Sequence, residues 1–424
     1  MTVLIAGGGI AGLALGLTLH QIGVPFRIYE AAQAIRPLGV GINLQPNAVR
    51  ELYDLGLKDA LDDIAVKTRQ YGFYSKFGNT IWEEPRGQWA GYLWPQYSVH
   101  RGKLQMLLFD TLIERAGAEC VVAGQRATGF DIAETQAVLH LDETATGKRR
   151  EVSGKLLVAA DGIHSAIRAQ MVPDEGPPIW GGAILWRATS LSEPFFGQGA
   201  MALVGHDTQR VVAYPISDPD PETGQVTMNW IAELRVNPEG GWNKEDWNRS
   251  ANVSDFLPEF ESWVFDWLDV PALINGAEQV FEYPMVDRDP LPQWTMDRVT
   301  LMGDAAHPTY PVGSNGATQA IVDARVIGAS ILEHGLTPMA LAAYEEKMRP
   351  LTTAVIHANR GSGPDAILQK VEDLCDGRFD SIGDVISHDA LAAHAAHYKS
   401  LAGFSIEALN AQPPLIPKGA KLIY

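Results

Sequence analysis

The segment Val3-Leu4-Ile5-Ala6-Gly7-Gly8-Gly9-Ile10-Ala11-Gly12 constrains the fold more than any other part of the chain. A short apolar run enters the glycines, and Leu13, Leu17 and Leu19 follow in an Ala-rich helical pattern. This is G-x-G-x-x-G between a strand and a helix, the context in which that spacing carries meaning. Gly7 permits the tight turn, Gly9 lets backbone approach a pyrophosphate, and Gly12 lets the helix pack closely on the strand. The exposed N–H groups of the helix start, with Ile10 and Ala11, then favour a bound phosphate. A second strand over Phe26–Tyr29 ends in Glu30, an acid placed to accept hydrogen bonds from a ribose. Packing alone explains the glycines but not Glu30, so the opening is read as an adenine-dinucleotide site.

Two later strands end in similar turns. Leu156–Ala160 runs into Asp161-Gly162, and Val299–Met302 runs into Gly303-Asp304. Ligands of doubly wound sheets lie outside the carboxyl ends of such strands, so one extended dinucleotide can touch all three if the segments return to one domain. After Gly303 the chain passes through Pro311 and Gly313 into a helix whose buried face is Ala317, Ala320, Ile321, Ala324, Gly328 and Ile331. Asp323 and Arg325 are expected off that face, and Ser314 or Asn315 can cap the helix start. Missing side chains at Gly313 and Gly316 let backbone lie near a flat ring.

Composition narrows the partners. Net charge is −18, which argues against nucleic acid or an anionic membrane. No apolar run reaches ~18 residues, and no secretion signal is read at the N-terminus. Two distant cysteines, Cys120 and Cys375, fit a reduced cytoplasmic protein without disulfide framework or zinc site. His307 has no metal-ligand spacing to another histidine, so no metal is expected. No second strand–GxGxxG–helix unit is present; Gly361-Ser362-Gly363 follows a helix-like segment.

VLIAGGGIAG with Glu30, ADGIHSAIR and GDAAHPTYPVGSNGATQA together resemble the three nucleotide motifs of the class A flavoprotein monooxygenases, the para-hydroxybenzoate hydroxylase type. RPLGVGINLQPNAV, PQYSVHRGKLQM, VAYPIS and YPMVDRDPLPQW extend the similarity toward the phenazine-modifying subgroup, although Thr309, Val312 and Ser314 depart from its pattern. The resemblance implies an α/β fold: a Rossmann-like FAD-binding domain (1–70, 98–179 and 285–360), an inserted antiparallel-sheet substrate domain (71–97 and 180–284), and C-terminal helices with a tail (361–424). It implies non-covalent FAD held by Gly7, Gly9, Ile10, Ala11, Gly12 and Glu30 at the AMP half. Arg36, Arg101, Gln105, Asp161, Gly303 and Asp304 follow along the chain of the cofactor, and Gly41, Asn43, Gly313, Gly316 and Ala317 edge the ring. It also implies NADH or NADPH and O2 as co-substrates, a flavin C4a-hydroperoxide as hydroxylating species, and a monomer or homodimer.

The inserted sheet is expected to hold a phenol, aromatic carboxylate or phenazine-like substrate. Trp186, Tyr214, Met228, Trp230 and Tyr283 are candidates for a flat aromatic pocket, with core packing the competing reading for each. Arg187 can bind a substrate carboxylate or sit at the surface. Tyr214, Pro311 and Gly313 are the catalytic candidates, and His206 is a weaker one as base. A flavin-dependent halogenase and a non-catalytic binder on the same fold are the alternatives; the tryptophans show no halogenase-type WxWxIP stretch.

Overall fold

A computed structural model describes residues 2–37, 39–236, 249–361 and 363–423. Leu38 and Ser362 of the motifs above, and 237–248 of the expected inserted domain, lie outside the described residues.

The three turn-bearing strands are neighbours. A six-stranded sheet runs in the order Thr295–Met296, Val299–Leu301, Leu156–Ala159, Val3–Ala6, Phe26–Tyr29, Val121–Val122. All of its pairings are parallel except the first. Val3 pairs with Leu156 and Leu157 with Val299, so the Gly7, Asp161 and Gly303 turns emerge from one sheet end. The Val3–Ala6 and Leu156–Ala159 strands are buried throughout, as a parallel sheet covered on both faces requires. The glycines are sterically obligatory here. Gly7 has φ +104°, and a Cβ on it would lie 2.3 Å from the Ala160 carbonyl oxygen; one on Gly12 would lie 2.0 Å from the Gly7 oxygen.

A second sheet of eight strands runs Arg249–Ser250, Phe281–Asp287, Ile179–Ser192, Val226–Arg235, Gln209–Pro215, Ala200–His206, Gln70–Tyr74, Thr80–Pro85. It is not wholly antiparallel as expected: Ala200–His206 and Gln70–Tyr74 pair in parallel, which is how the 70–85 segment joins a sheet formed otherwise after residue 179. The far face of this sheet is closed by Phe256, Phe260 and the Val270–Asn275 helix over Trp186 and Trp230. A small sheet, Gly41–Leu44, Gln96–His100 and Ala65–Thr68, stands between the two large ones, so the boundary expected at 97/98 falls inside a strand. Gly41 N–H donates to Asn229 Oδ1 at 2.6 Å and ties this small sheet to the eight-stranded one.

The Gly316–His334 helix corrects one expectation. Asp323 and Arg325 do not face outward; both are fully buried. Arg325 reaches Glu51 at 3.1 Å, Asp54 at 2.7 Å and Gln21 at 2.5 Å, joining three helices. An amphipathic reading assumes one wet face, but this helix has the Ile10–Gln21, Pro46–Asp54 and Pro338–Asn359 helices around it, and its charges are paired inside. The segment after Arg360 forms the Ala366–Cys375, His388–Leu401 and Ile406–Ala411 helices, packed on the eight-stranded sheet and on the Gly303–Gly316 loop region.

Candidate active site

A cavity of about 380 Å³ runs from the Gly9 turn to the eight-stranded sheet. Gly9, Ile10, Ala11, Arg101, Gly162 and Asp304 wall one end, and Gly41, Asn43, Pro311, Gly313, Gly316 and Ala317 the middle. Arg187 and Tyr214 stand on the sheet side. The sequence thus pointed to all fourteen of these residues, counting Ile10 and Ala11.

Two kinds of glycine separate in space. Gly7 and Gly12 press on backbone, whereas a Cβ at Gly9, Gly162 or Gly316 would meet no protein atom within 4 Å. Gly9 has φ −74°, which any residue adopts, so space for a ligand and not backbone strain explains its lack of a side chain. The first helix begins at Ile10 and the 19-residue Gly316–His334 helix begins at Gly316; both starts open on the cavity with free N–H groups. Such starts favour negative charge by ~0.3–1 kcal/mol, or up to ~2 kcal/mol when partly buried. These features fit an extended dinucleotide with phosphates at one end and a ring at the other.

Other nominated residues stand behind the wall. Glu30 accepts from Gly8 N at 2.6 Å and Ala32 N at 2.7 Å. Gln105 Nε2 donates to Gly8 O at 3.1 Å and holds the first turn. Asp161 Oδ2 accepts from Ala166 N at 3.0 Å, while its buried Oδ1 has no partner, and burial raises its pKa. Burial also raises the pKa of Asp304, with His307 and Arg101 opposing. Arg36 is exposed on the 31–37 loop and lies outside the cavity wall.

His307 lies beneath the Gly303 turn. Its Nε2 is 2.6 Å from Asp323 Oδ2, which also accepts Gly303 N at 2.9 Å. Burial works against charge on His307, but the Asp323 carboxylate outweighs it and the pKa is raised. A raised folded pKa gives stability that is complete below the ordinary histidine value of about 6.5 and is lost as pH rises through the folded value. Thermal stability is therefore expected to fall on the alkaline side of that value. His307→Asn should flatten this fall and cost roughly 1–3 kcal/mol at pH 6, the price of a lost buried charge-assisted bond. A melting-temperature series over pH in both proteins checks it; identical slopes would remove His307 from the account.

The sheet face corrects the substrate list. Leu185 and Arg187, Ile231 and Glu233, Arg210, Val212 and Tyr214, and Met201 and Leu203 face the cavity. Trp186, Met228 and Trp230 are on the opposite face. Trp186 stacks on Phe256 at 4.5 Å and Trp230 donates its indole N–H to Ser190 Oγ at 2.9 Å. The reason is the two-residue period of a strand: Trp186 and Arg187 are adjacent and cannot share a face. Tyr283 lies outside the wall, its ring 5.8 Å from the Arg187 guanidinium. His206 also lies outside it, at the strand's outer end beside Thr208 at 3.0 Å. Burial lowers its pKa.

Arg187 is the charge that stands out. It donates to Gly41 O at 3.0 Å, and among the described residues its buried Nε has no partner and it forms no ion pair with a carboxylate; Tyr214, Tyr283 and Arg101 are the ionisable groups that act on it. Burial pulls its pKa down. Burial pushes the Tyr214 phenol up to about 12 against Arg187, so Tyr214 is a proton donor and not a base at neutral pH. Further out, Arg210 is clamped between Asp365 and Glu233, the latter at 2.7 Å. Sequence reasoning missed Arg210, Glu233 and Asp365. The alternation of the strands could have found the first two; Asp365 comes from a segment that carries no motif.

Among the described residues no group of side chains could hold a metal, and no helix is long and apolar enough to cross a membrane.

Comparison with known proteins places this geometry. A family described as FAD binding domain matches residues 1–359. A phenazine 1,6-dicarboxylic acid hydroxylase of Lysobacter antibioticus is 41% identical over 361 residues, covering 84% of this chain and 89% of that protein. A salicylate hydroxylase of Pseudomonas putida is 30% identical, covering 82% of each. In fold, the chain is similar to the Klebsiella pneumoniae HpxO structure with FAD and uric acid, at a TM-score of 0.70 and 20% identity over 96% of this chain and 94% of that one.

Proposed function

The chain belongs to the FAD-binding-domain family of flavoprotein aromatic hydroxylases, and from that premise we propose that it hydroxylates an anionic aromatic substrate held by Arg187 beside Tyr214. The protein is an FAD-dependent monooxygenase acting on an aromatic or heteroaromatic ring. The named relatives are hydroxylases, which does not favour a halogenase. When bound, FAD supplies the activation of dioxygen; the chain supplies binding, orientation and a dry site. FAD fits the residues present: Gly9, Gly162 and Gly316 leave open space where a cofactor would pass, and Asp161 Oδ1 is a buried acceptor without a partner.

The single observation behind the anionic substrate is the half-buried Arg187 on the cavity wall, whose buried Nε has no partner among the described residues. A partly desolvated guanidinium without a carboxylate beside it favours a ligand that supplies the negative charge and completes its desolvation. Tyr214, protonated at neutral pH, donates to the same group or to a phenolate oxygen and so holds charge on the substrate. The apolar side chains Leu185, Met201, Leu203, Val212 and Ile231 flank the ring plane and exclude water. Pro311 and Gly313 contribute backbone shape. NADH or NADPH is the reductant in this reading, visiting the flavin in transit. The residue spans 1–70, 98–179 and 285–360 serve the cofactor, and 71–97 and 180–284 the substrate. The C-terminal segment, 361–424, contributes Pro364 and Asp365 to the cavity wall and so helps to close the site in this reading. The two unpaired thiols suit a cytoplasmic setting.

The purified protein is expected to be yellow, with FAD released on denaturation. NAD(P)H oxidation should be stimulated by aromatic or heteroaromatic carboxylates more than by their uncharged amides, with one atom of labelled dioxygen in the product. Equal stimulation by acids and amides would sink the anionic-substrate reading, and a preparation that cannot be reconstituted with FAD would sink the cofactor's placement.

A further inference from the structure

The loop between Gly303 and the Gly316–His334 helix is irregular over 307–315, and its backbone is held from outside. Gly313 has φ +66° and Ser314 has φ +59°, a left-handed conformation that serine adopts rarely. Asn315 takes the N-cap position but does not cap the helix with its side chain, contrary to the sequence expectation. Its Nδ2 donates instead to the Tyr398 hydroxyl at 2.6 Å. Tyr398 belongs to the His388–Leu401 helix, far along the chain. It donates in turn to Asn359 Oδ1 at 2.8 Å. Asn359 Nδ2 then reaches Thr309 Oγ1 at 2.9 Å and the carbonyl oxygens of Val312 at 3.1 Å and Tyr310 at 3.4 Å.

The order of these bonds matters. An asparagine amide has an acceptor end and a donor end. The Tyr398 O–H occupies the acceptor of Asn359, which turns the donor toward the loop carbonyls. The same oxygen takes the donor of Asn315, which leaves Asn315 Oδ1 buried and unpartnered on a residue of the cavity wall. Tyr398 is itself buried, and burial keeps its phenol protonated. Sterics reinforce the contact: a Cβ on Gly313 would lie 2.1 Å from the Tyr398 hydroxyl oxygen. Gly313 is therefore required twice, by its φ and by the tyrosine above it.

We infer that Tyr398 is a positioning residue for the hydroxylation reaction: through Asn359 and Asn315 it sets the backbone of the 309–315 loop against the flavin ring. The inference rests on the reading that this loop and Gly316 face the ring. Its loss would loosen the ring's seat without removing any group that touches the cofactor.

The test uses the FAD-loaded, full-length protein. Tyr398→Phe keeps the ring and removes the hydroxyl. FAD content is expected to stay near that of the parent. The flavin absorption band should shift, and the share of consumed NAD(P)H recovered as hydrogen peroxide should rise several-fold, with kcat for product falling more than KM rises. Asn359→Leu should give the same signature, and the double variant should add little to either. Should Tyr398→Phe not fold, Asn315→Ala carries the same readouts from the other side of the bond. A parent-like flavin band and peroxide yield in these variants would overturn the inference. Gly316→Val separates the two levels. If it strips or perturbs the flavin while Tyr398→Phe is silent, only the Tyr398 role falls. If Gly316→Val is also silent, the loop does not face the ring and the parent reading falls with it.

Discussion

Gly9→Val is expected to abolish practical FAD binding while leaving the protein folded. The valine finds allowed backbone at φ −74° and meets no protein atom within 4 Å at its Cβ, so the apo-protein has no reason to lose stability. The same Cβ occupies the space beside the first helix start that a pyrophosphate needs. Losing two charge-assisted hydrogen bonds at ~1.5–3 kcal/mol each gives a fall in affinity on the order of 100-fold or more. Titration of apo-protein with FAD, followed by flavin fluorescence, measures the loss, and a melting curve of the apo-protein supplies the control. The contrast is Gly12→Val, where a Cβ would sit 2.0 Å from the Gly7 carbonyl oxygen and the fold itself should suffer. Parent-like FAD affinity in Gly9→Val would mean that the cofactor passes elsewhere.

Arg187→Gln should be the largest single loss on the substrate side. The side chain is half-buried, bonded to Gly41 O and paired with no carboxylate among the described residues, so an anionic substrate would be its main charge partner. A charge-assisted bond of ~1.5–3 kcal/mol corresponds to a drop in kcat/KM of roughly 10- to 150-fold for an aromatic acid. The corresponding amide should lose far less, because it never used the charge. Steady-state kinetics with an acid–amide pair decides the matter. Parallel losses for both would assign Arg187 to fold or cofactor instead. Tyr214→Phe on the same pair tells whether the phenol donates to that group, since a tyrosine with a pKa of about 12 supplies a proton-bearing oxygen throughout the working range.

The two sites differ in how far the sequence carries toward them. The cofactor end was legible because each contact lies within a short turn: Gly7 to Gly12, Asp161-Gly162, and Gly303-Asp304 are local motifs whose residue types follow from phosphate geometry. Even their convergence could be inferred, since three strands ending in such turns have one natural arrangement. The substrate end was legible only in part. Arg187 and Tyr214 reach the cavity, but Trp186, Met228 and Trp230 were nominated for bulk and lie in the core behind it. Aromatic size drives burial on whichever face is covered, and here the far face is covered by Phe256 and Phe260. The pairs Trp230–Ala213 and Asn229–Tyr214 place Trp230 and Tyr214 on opposite faces, something that register decides and composition does not. Asp323, Arg325, Asp365 and Tyr398 were illegible for another reason. Their partners are many residues away, and a buried ion pair reads in sequence like two exposed charges.

The alternation of the eight-stranded sheet limits how such a cavity can be reshaped. Its wall on the Gln209–Pro215 strand is drawn from Arg210, Val212 and Tyr214, and on Val226–Arg235 from Ile231 and Glu233. The residues between them belong to a separate packed core. A library seeking new substrates therefore has few informative positions on these strands, every second one, and of these Arg210 and Glu233 are locked in a buried ion pair, which leaves Val212, Tyr214 and Ile231 as the positions to vary. Inserting a single residue would have the opposite outcome. Before Trp230 it would turn that indole into the cavity and the Glu233 carboxylate toward the phenylalanines, so diversification of this wall should proceed by replacement and almost never by odd-length insertion.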